Sequence, residues 1–275
     1  MMKHFLTSVL TFIIFSTPAV ASDTNGIETD IPYSSKNDQY SKERLKLDVY
    51  RPDNVSNAPV VIWFHGGGLT GGSKAIPSEL MNSGFVVIAP NYRLTPHVNV
   101  EDCIDDAAEA VAWTFANAEK YGGDKSKIIV SGHSAGGFLT SMVGLDKSRL
   151  DRYGVNADSI SALIPYSGQV ITHFSDRKKM GIDPLTPLID RNAPLFHVRK
   201  DAPPYIIITG DAEEELYGRY EENLYMWRMM RLTGHPDVKI YKIDGHDHGQ
   251  MVHPAHHILK KEIERILHKK ESPSK

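Results

Sequence analysis

The chain has 275 residues, 41% hydrophobic and 24% charged, with a formal net charge of −3. That length suits one α/β domain with a sizeable core, and the composition excludes a disordered chain. The weak negative charge argues against nucleic acid or an anionic membrane surface as partner, and a single cysteine, Cys103, excludes an internal disulfide framework.

Taken in order, residues 1–21 read as a cleavable export signal. Lys3 and His4 precede an apolar stretch over 5–15, and Ala19-Val20-Ala21 forms a small-residue cleavage site. The apolar stretch is short for a bilayer span. Export to the periplasm or the extracellular space is therefore expected, rather than stable membrane insertion. Residues 22–44 are polar and turn-rich and are expected to form a flexible lead-in to a domain covering 45–269.

Residues 45–50 alternate apolar and polar, as a half-exposed strand does. Residues 60–64 and 85–89 are continuous apolar runs, the signature of strands buried on both faces. A long helix is predicted over 100–120, with Ile104, Ala107, Ala108, Val111, Phe115 and Ala118 at helical spacing and Glu101, Asp102, Asp105 and Asp106 near its start. A strand from Ile128 follows, then a helix over 138–145, and another strand over 160–164 ending in Pro165-Tyr166-Ser167-Gly168. Residues 169–192 are mixed and broken by Pro and Gly, and read as a short cap inserted over the site. Beyond it lie a buried strand at 205–209, a helix at 217–232, an alternating strand at 238–243 and a closing amphipathic helix at 257–269. Strands alternating with helices predict a mostly parallel sheet with helices on both faces.

Three loops carry candidate chemistry. Gly132-His133-Ser134-Ala135-Gly136 lies where a strand turns into a helix, the setting a nucleophile elbow requires. The bare pattern also fits a glycine-rich turn with an idle serine. After the strand at 60–64 comes His65-Gly66-Gly67-Gly68, a loop whose backbone amides can approach a carbonyl oxygen. Gly67, Gly68 and Ala135 are the expected oxyanion donors, with His65 shaping the loop. No Lys-Ser/Thr follows, so a phosphate loop is excluded. After the last strand, Asp244-Gly245-His246-Asp247-His248-Gly249 offers a general base, His248, with His246 as the alternative. A metal-binding His-x-His pair is the competing reading of that loop. It lacks the acidic helix motif that would support it, and no metal is expected. The orienting acid belongs after the strand at 205–209, in Gly210-Asp211-Ala212-Glu213-Glu214-Glu215. Position points to Glu213, with Asp211 and Glu215 as alternatives.

Together Leu47-Asp48-Val49-Tyr50, His65-Gly66-Gly67-Gly68, Asn91-Tyr92-Arg93-Leu94, Asp106-Ala107 through Trp113, Gly132-His133-Ser134-Ala135-Gly136-Gly137 and His248-Gly249 resemble the α/β-hydrolase superfamily. The resemblance is to its esterase branch, similar to hormone-sensitive lipase and to bacterial carboxylesterase or feruloyl-esterase-like proteins. It spans nearly all of 45–267 and implies an α/β-hydrolase fold with Ser134 as nucleophile and His248 as base. It further implies Gly67, Gly68 and Ala135 as oxyanion donors, no cofactor, and small-molecule or carbohydrate ester substrates such as acetyl or feruloyl esters. Such proteins usually place Gly-x-x-Asp at the acid, where this chain has Glu213. The alternatives are an amide hydrolase (an arylformamidase or small peptidase) and a non-catalytic binding protein on a hydrolase scaffold. The oligomeric state is open.

Overall fold

The computed structural model describes residues 26–183 and 185–271; the expected export signal lies outside them. Eight strands form one sheet in the order β1-β2-β4-β3-β5-β6-β7-β8. The first two, β1 (Ile27–Pro32) and β2 (Lys46–Tyr50), are antiparallel to their neighbours. The other six run parallel: β3 (Ala58–Phe64), β4 (Val86–Pro90), β5 (Gly123–His133), β6 (Ala162–Tyr166), β7 (Tyr205–Thr209) and β8 (Val238–Lys242).

Strand residues alternate between two cores, as the two-residue period of the pleat demands. Val60, Ile62, Ile128, Val130 and Ile207 face one side. There they pack on α2 (Val100–Asn117), α3 (Ala135–Leu145) and α6 (Arg219–Leu232). Val61, Trp63, Ile129, Ile206 and Ile208 face the other, against Met251 and, from α7 (Val252–Glu271), Ala255, Leu259 and Ile263. Continuous apolar strands are what a sheet covered on both faces requires. Among the described residues no helix is long and apolar enough to cross a membrane.

The lead-in is a correction. From Ile27 onward residues 22–44 are ordered: β1 pairs with β2, and α1 (Gln39–Arg44) follows, capped by the Asp38 carboxylate on the Ser41 amide at 2.9 Å. Polarity misled because β1 is an edge strand with no fully buried residue and α1 buries only Ser41. The stretch at 169–192 contains a short helix, α5 (Phe174–Lys179), preceded by another short helix at α4 (Lys147–Asp151).

Parallel strands deliver their carboxyl ends to one edge of the sheet. His65 follows β3, Ser134 follows β5, Ser167 follows β6, and the turns holding Glu215 and His248 follow β7 and β8. Residues as distant in sequence as 65 and 248 meet there for that reason.

Candidate active site

Ser134 sits between β5 and α3 with φ 57° and ψ −114°, a backbone conformation that L-residues rarely adopt. Its amide donates to the Tyr166 carbonyl at 2.8 Å and its carbonyl accepts from Phe138 at 2.9 Å, which fixes the strained turn. The flanking glycines are sterically required. A Cβ on Gly132 would stand 2.6 Å from the Phe64 carbonyl oxygen, and one on Gly136 would collide with the same atom.

The glycine loop faces the elbow: a Cβ on Gly66 would lie 3.4 Å from that of Ser134. Gly67 and Gly68 have φ of 112° and 63°, and among the described residues neither amide donates a hydrogen bond within the chain. Ala135 is the first residue of α3, so its amide lies beyond the reach of intrahelical bonding. His65 holds the loop. Its Nδ1–H donates to the Gly66 carbonyl at 2.7 Å, and its ring stacks on Tyr92 with centroids 4.4 Å apart. Burial lowers its pKa to about 4, so the ring is neutral at neutral pH. Arg44 of α1 braces the same loop by donating to the Gly72 carbonyl at 2.6 Å and the Tyr92 carbonyl at 2.9 Å.

His248 Nδ1 lies 2.8 Å from Glu215 Oε2, in a pair whose carboxylate is fully buried. Burial raises the Glu215 pKa, but hydrogen bonds from His248 and Ser167 outweigh it and hold the group at about 2. Glu215 was an alternative in sequence; the two favoured acids do not reach the imidazole. The Asp211 carboxylate accepts from the amides of Gly245 at 2.7 Å and Glu213 at 3.1 Å, tying the β7 and β8 loops together. Glu213 points to solvent. The reason is a turn in which the Glu215 amide bonds the Asp211 carbonyl at 2.9 Å. This turn leaves 213 and 214 outside and swings 215 back beneath Gly210, whose amide donates to Oε1 at 3.2 Å. His246 bonds its own loop at the Asp244 carbonyl, 2.9 Å away.

Two residues at the site carried no role in the sequence. The Ser167 hydroxyl lies 2.6 Å from Glu215 Oε1 and 3.1 Å from His248 Nδ1. Its signal was its position, directly after a buried parallel strand on the edge that carries the other groups. His133 Nε2 donates to the His248 carbonyl at 2.8 Å, and the two rings are 4.6 Å apart. Burial lowers the His133 pKa to about 4, so it is a neutral donor. Nothing in a Gly-x-Ser-x-Gly pattern marks that contact.

The cap touches the glycine loop directly. Ser175 Oγ donates to the Gly68 carbonyl at 3.1 Å, and a Cβ on Gly68 would come within 2.8 Å of the Phe174 ring. A cavity of about 260 Å³, lined by Gln169, Ile171, Leu185, Tyr217 and Glu222, opens between the cap and the start of α6. Among the described residues no group of three or more His, Cys, Asp or Glu side chains is placed to hold a metal ion.

The fold recurs in solved structures. A truncated carbohydrate esterase from gut microbiota is 20% identical at TM-score 0.74, covering 91% of this chain and 99% of its own. An esterase of Thermogutta terrifontis, Est2, is 24% identical at TM-score 0.68, covering 86% and 91%. Together with the observed sheet, these establish the α/β-hydrolase fold. In sequence, esterase LipC of Mycobacterium tuberculosis is 32% identical over 61% of this chain and 48% of its own length. The probable carboxylic ester hydrolase LipM of the same organism is 30% identical over 60% and 44%. The chain thus spans about half the length of the curated relatives it matches. The sequence model of the BD-FAE family matches residues 47–227, which runs from β2 through the glycine loop, the elbow and the cap into α6. The chain belongs to the BD-FAE family.

Proposed function

We propose that this protein is a serine esterase that hydrolyses carboxylic esters through an acyl-enzyme. The observation that carries the reading is the Glu215–His248 hydrogen bond on the sheet edge that also presents Ser134 on a strained elbow. A serine hydroxyl is a weak nucleophile until a base takes its proton and fixed donors receive the charge it creates. In the proposed reaction His248 accepts the Ser134 proton as Oγ bonds to the ester carbonyl carbon. Glu215 holds the imidazole through Nδ1–H and stabilises the imidazolium that forms. The oxyanion rests on the amides of Gly67, Gly68 and Ala135. His248 then gives its proton to the departing alcohol, and a water molecule, deprotonated by the same imidazole, releases the acid and restores Ser134.

For the substrate we propose short acyl or carbohydrate-linked esters, acetyl or feruloyl among them. Two observations support a small acyl group and a bulkier remainder. Phe174 stands as an aromatic wall beside Gly68, and the cavity with Tyr217 on its rim offers room for the part of the ester that does not react. The structural neighbour from gut microbiota, a carbohydrate esterase, fits the same class. Export, resting on residues 1–21, belongs to this proposal as well.

Ser134→Ala tests it. The variant is expected to retain its fold and lose turnover of p-nitrophenyl acetate, and a fluorophosphonate probe is expected to label Ser134 in the wild type. Unchanged turnover in the variant would sink the mechanism. A panel of ester and amide substrates then separates an esterase from an amide hydrolase.

A further inference from the structure

We infer that Ser167 is a positioning residue that acts through Glu215, a reading that rests on the proposed triad. Its surroundings are unusual for a residue that only follows a strand. It is fully buried with φ 44°, in the left-handed region, and its amide donates to the Ile208 carbonyl at 2.7 Å. The strain is held from one side by α6. Arg219 Nη1 donates to the Ser167 carbonyl, and Arg219 Nε donates to Glu222 Oε1 at 2.6 Å. Glu222 Oε2 in turn accepts the amides of Val170 and Ile171, each at 3.3 Å. The stretch 167–171 is therefore clamped to α6, and the Ser167 side chain is aimed where its backbone alone would not hold it.

The purpose emerges from the donors around Glu215. Oε1 receives the Ser167 hydroxyl at 2.6 Å and the Gly210 amide at 3.2 Å. Oε2 receives the Leu216 amide at 3.1 Å and His248 Nδ1–H at 2.8 Å. A carboxylate offers about four acceptor sites, so this one is saturated. The Ser167 hydroxyl has one hydrogen, and the shorter distance assigns it to the carboxylate rather than to His248. The terminal torsion of a glutamate is soft. Without Ser167, Oε1 keeps only the longer Gly210 bond, and the carboxylate is free to turn and carry Oε2 away from the imidazole. Ser167 fixes that torsion, and so fixes His248.

The test is a double-mutant cycle on the full chain, with kcat and KM for p-nitrophenyl acetate and the melting temperature of each variant. Ser167→Gly and Ser167→Ala both remove the hydroxyl, but glycine suits φ 44° whereas alanine does not. Both are expected to lower kcat about tenfold with KM within about twofold, as loss of a hydrogen bond to a charged group does. Ser167→Gly should do so with a smaller fall in melting temperature than Ser167→Ala, which separates the lost hydroxyl from the strain at φ 44°. Added to Glu215→Gln, Ser167→Gly is expected to lower kcat by no more than about a further twofold, because the residue it acts through is already gone. Wild-type kcat in Ser167→Gly overturns the inference, whatever Ser167→Ala does. So does a double variant in which the two losses multiply, the mark of a structural role independent of Glu215. A wild type that neither turns over the ester nor takes a fluorophosphonate label brings down the triad reading, and this inference with it. A labelled, active wild type with an unaltered Ser167→Gly rate removes Ser167 alone.

Discussion

Glu215 reaches His248 because its side chain is one methylene longer than an aspartate and starts from a different point of the turn. The proposed acid lies five residues after Gly210, not three, and the added reach returns it beneath Gly210 to the imidazole. Glu215→Gln replaces an acceptor with an amide that forces the wrong tautomer on His248, and kcat should fall by up to about 10⁴-fold. Glu213→Gln, at an exposed position that touches nothing at the site, should leave kcat within about twofold. Steady-state rates of the two variants decide between the carboxylates; the reverse ranking would return the role to Glu213. The carboxylate that bonds His248 is the part of the proposed site the sequence hid. Four carboxylates in five positions, 211 to 215, are indistinguishable until a backbone bond from Glu215 to Asp211 selects which one turns inward. Ser134 and His248, by contrast, each stood in a loop whose neighbours named it.

At the scale of elements, the elbow is tightly constrained. Gly132 and Gly136 both approach the carbonyl oxygen of Phe64, the last residue of β3, so β3, β5 and α3 meet with no room for a methyl group. Gly136→Ala must push β3 away from α3 and is expected to destabilise the protein by about 1–3 kcal/mol, as overpacking does. It should also slow turnover by moving the glycine loop relative to Ser134. Urea unfolding and kcat measured together check both effects, and a variant of native stability and rate would show that the junction yields more easily than its distances imply. The buried strands were legible because each is a short β-branched run, and the long helices because their apolar spacing is regular. Strand β1 and helix α1 were not, since IETDIP buries no side chain fully and QYSKER buries one serine. Hydrophobic pattern cannot report elements that contribute hydrogen bonds and ion pairs instead of core.

At the scale of the whole molecule, four histidines among the described residues are held neutral by their surroundings. Burial lowers His65, His133 and His256 to about 4 and His173 to about 3, from an ordinary 6.5. Unfolding exposes each to water, where it binds a proton more readily than the folded chain allows. Their contribution to stability is complete above pH 6.5 and is lost as the pH falls through 6.5 toward 4, because the unfolded chain binds more protons in that window. The melting temperature is therefore expected to drop steeply between pH 6.5 and 4, with a shallower change above that range. Thermal unfolding across that range tests this, and a flat profile would contradict the burial of these rings. Two of the four, His65 and His133, also shape the glycine loop and the base loop, so acid should disable the site and loosen the fold over the same interval.

The Arg44 contacts to the Gly72 and Tyr92 carbonyls have a practical consequence for how the protein is cut and expressed. A clone begun at residue 45, where hydrophobic pattern first becomes regular, would discard β1, α1 and that arginine together. It would strip β2 of its outer partner, leaving it paired with β4 alone, and expose a row of unpaired backbone groups, the usual template for intermolecular strand addition. Such a truncation is expected to elute as aggregates in size-exclusion chromatography and to lose activity, whereas a chain begun at residue 26 should behave as the full protein does.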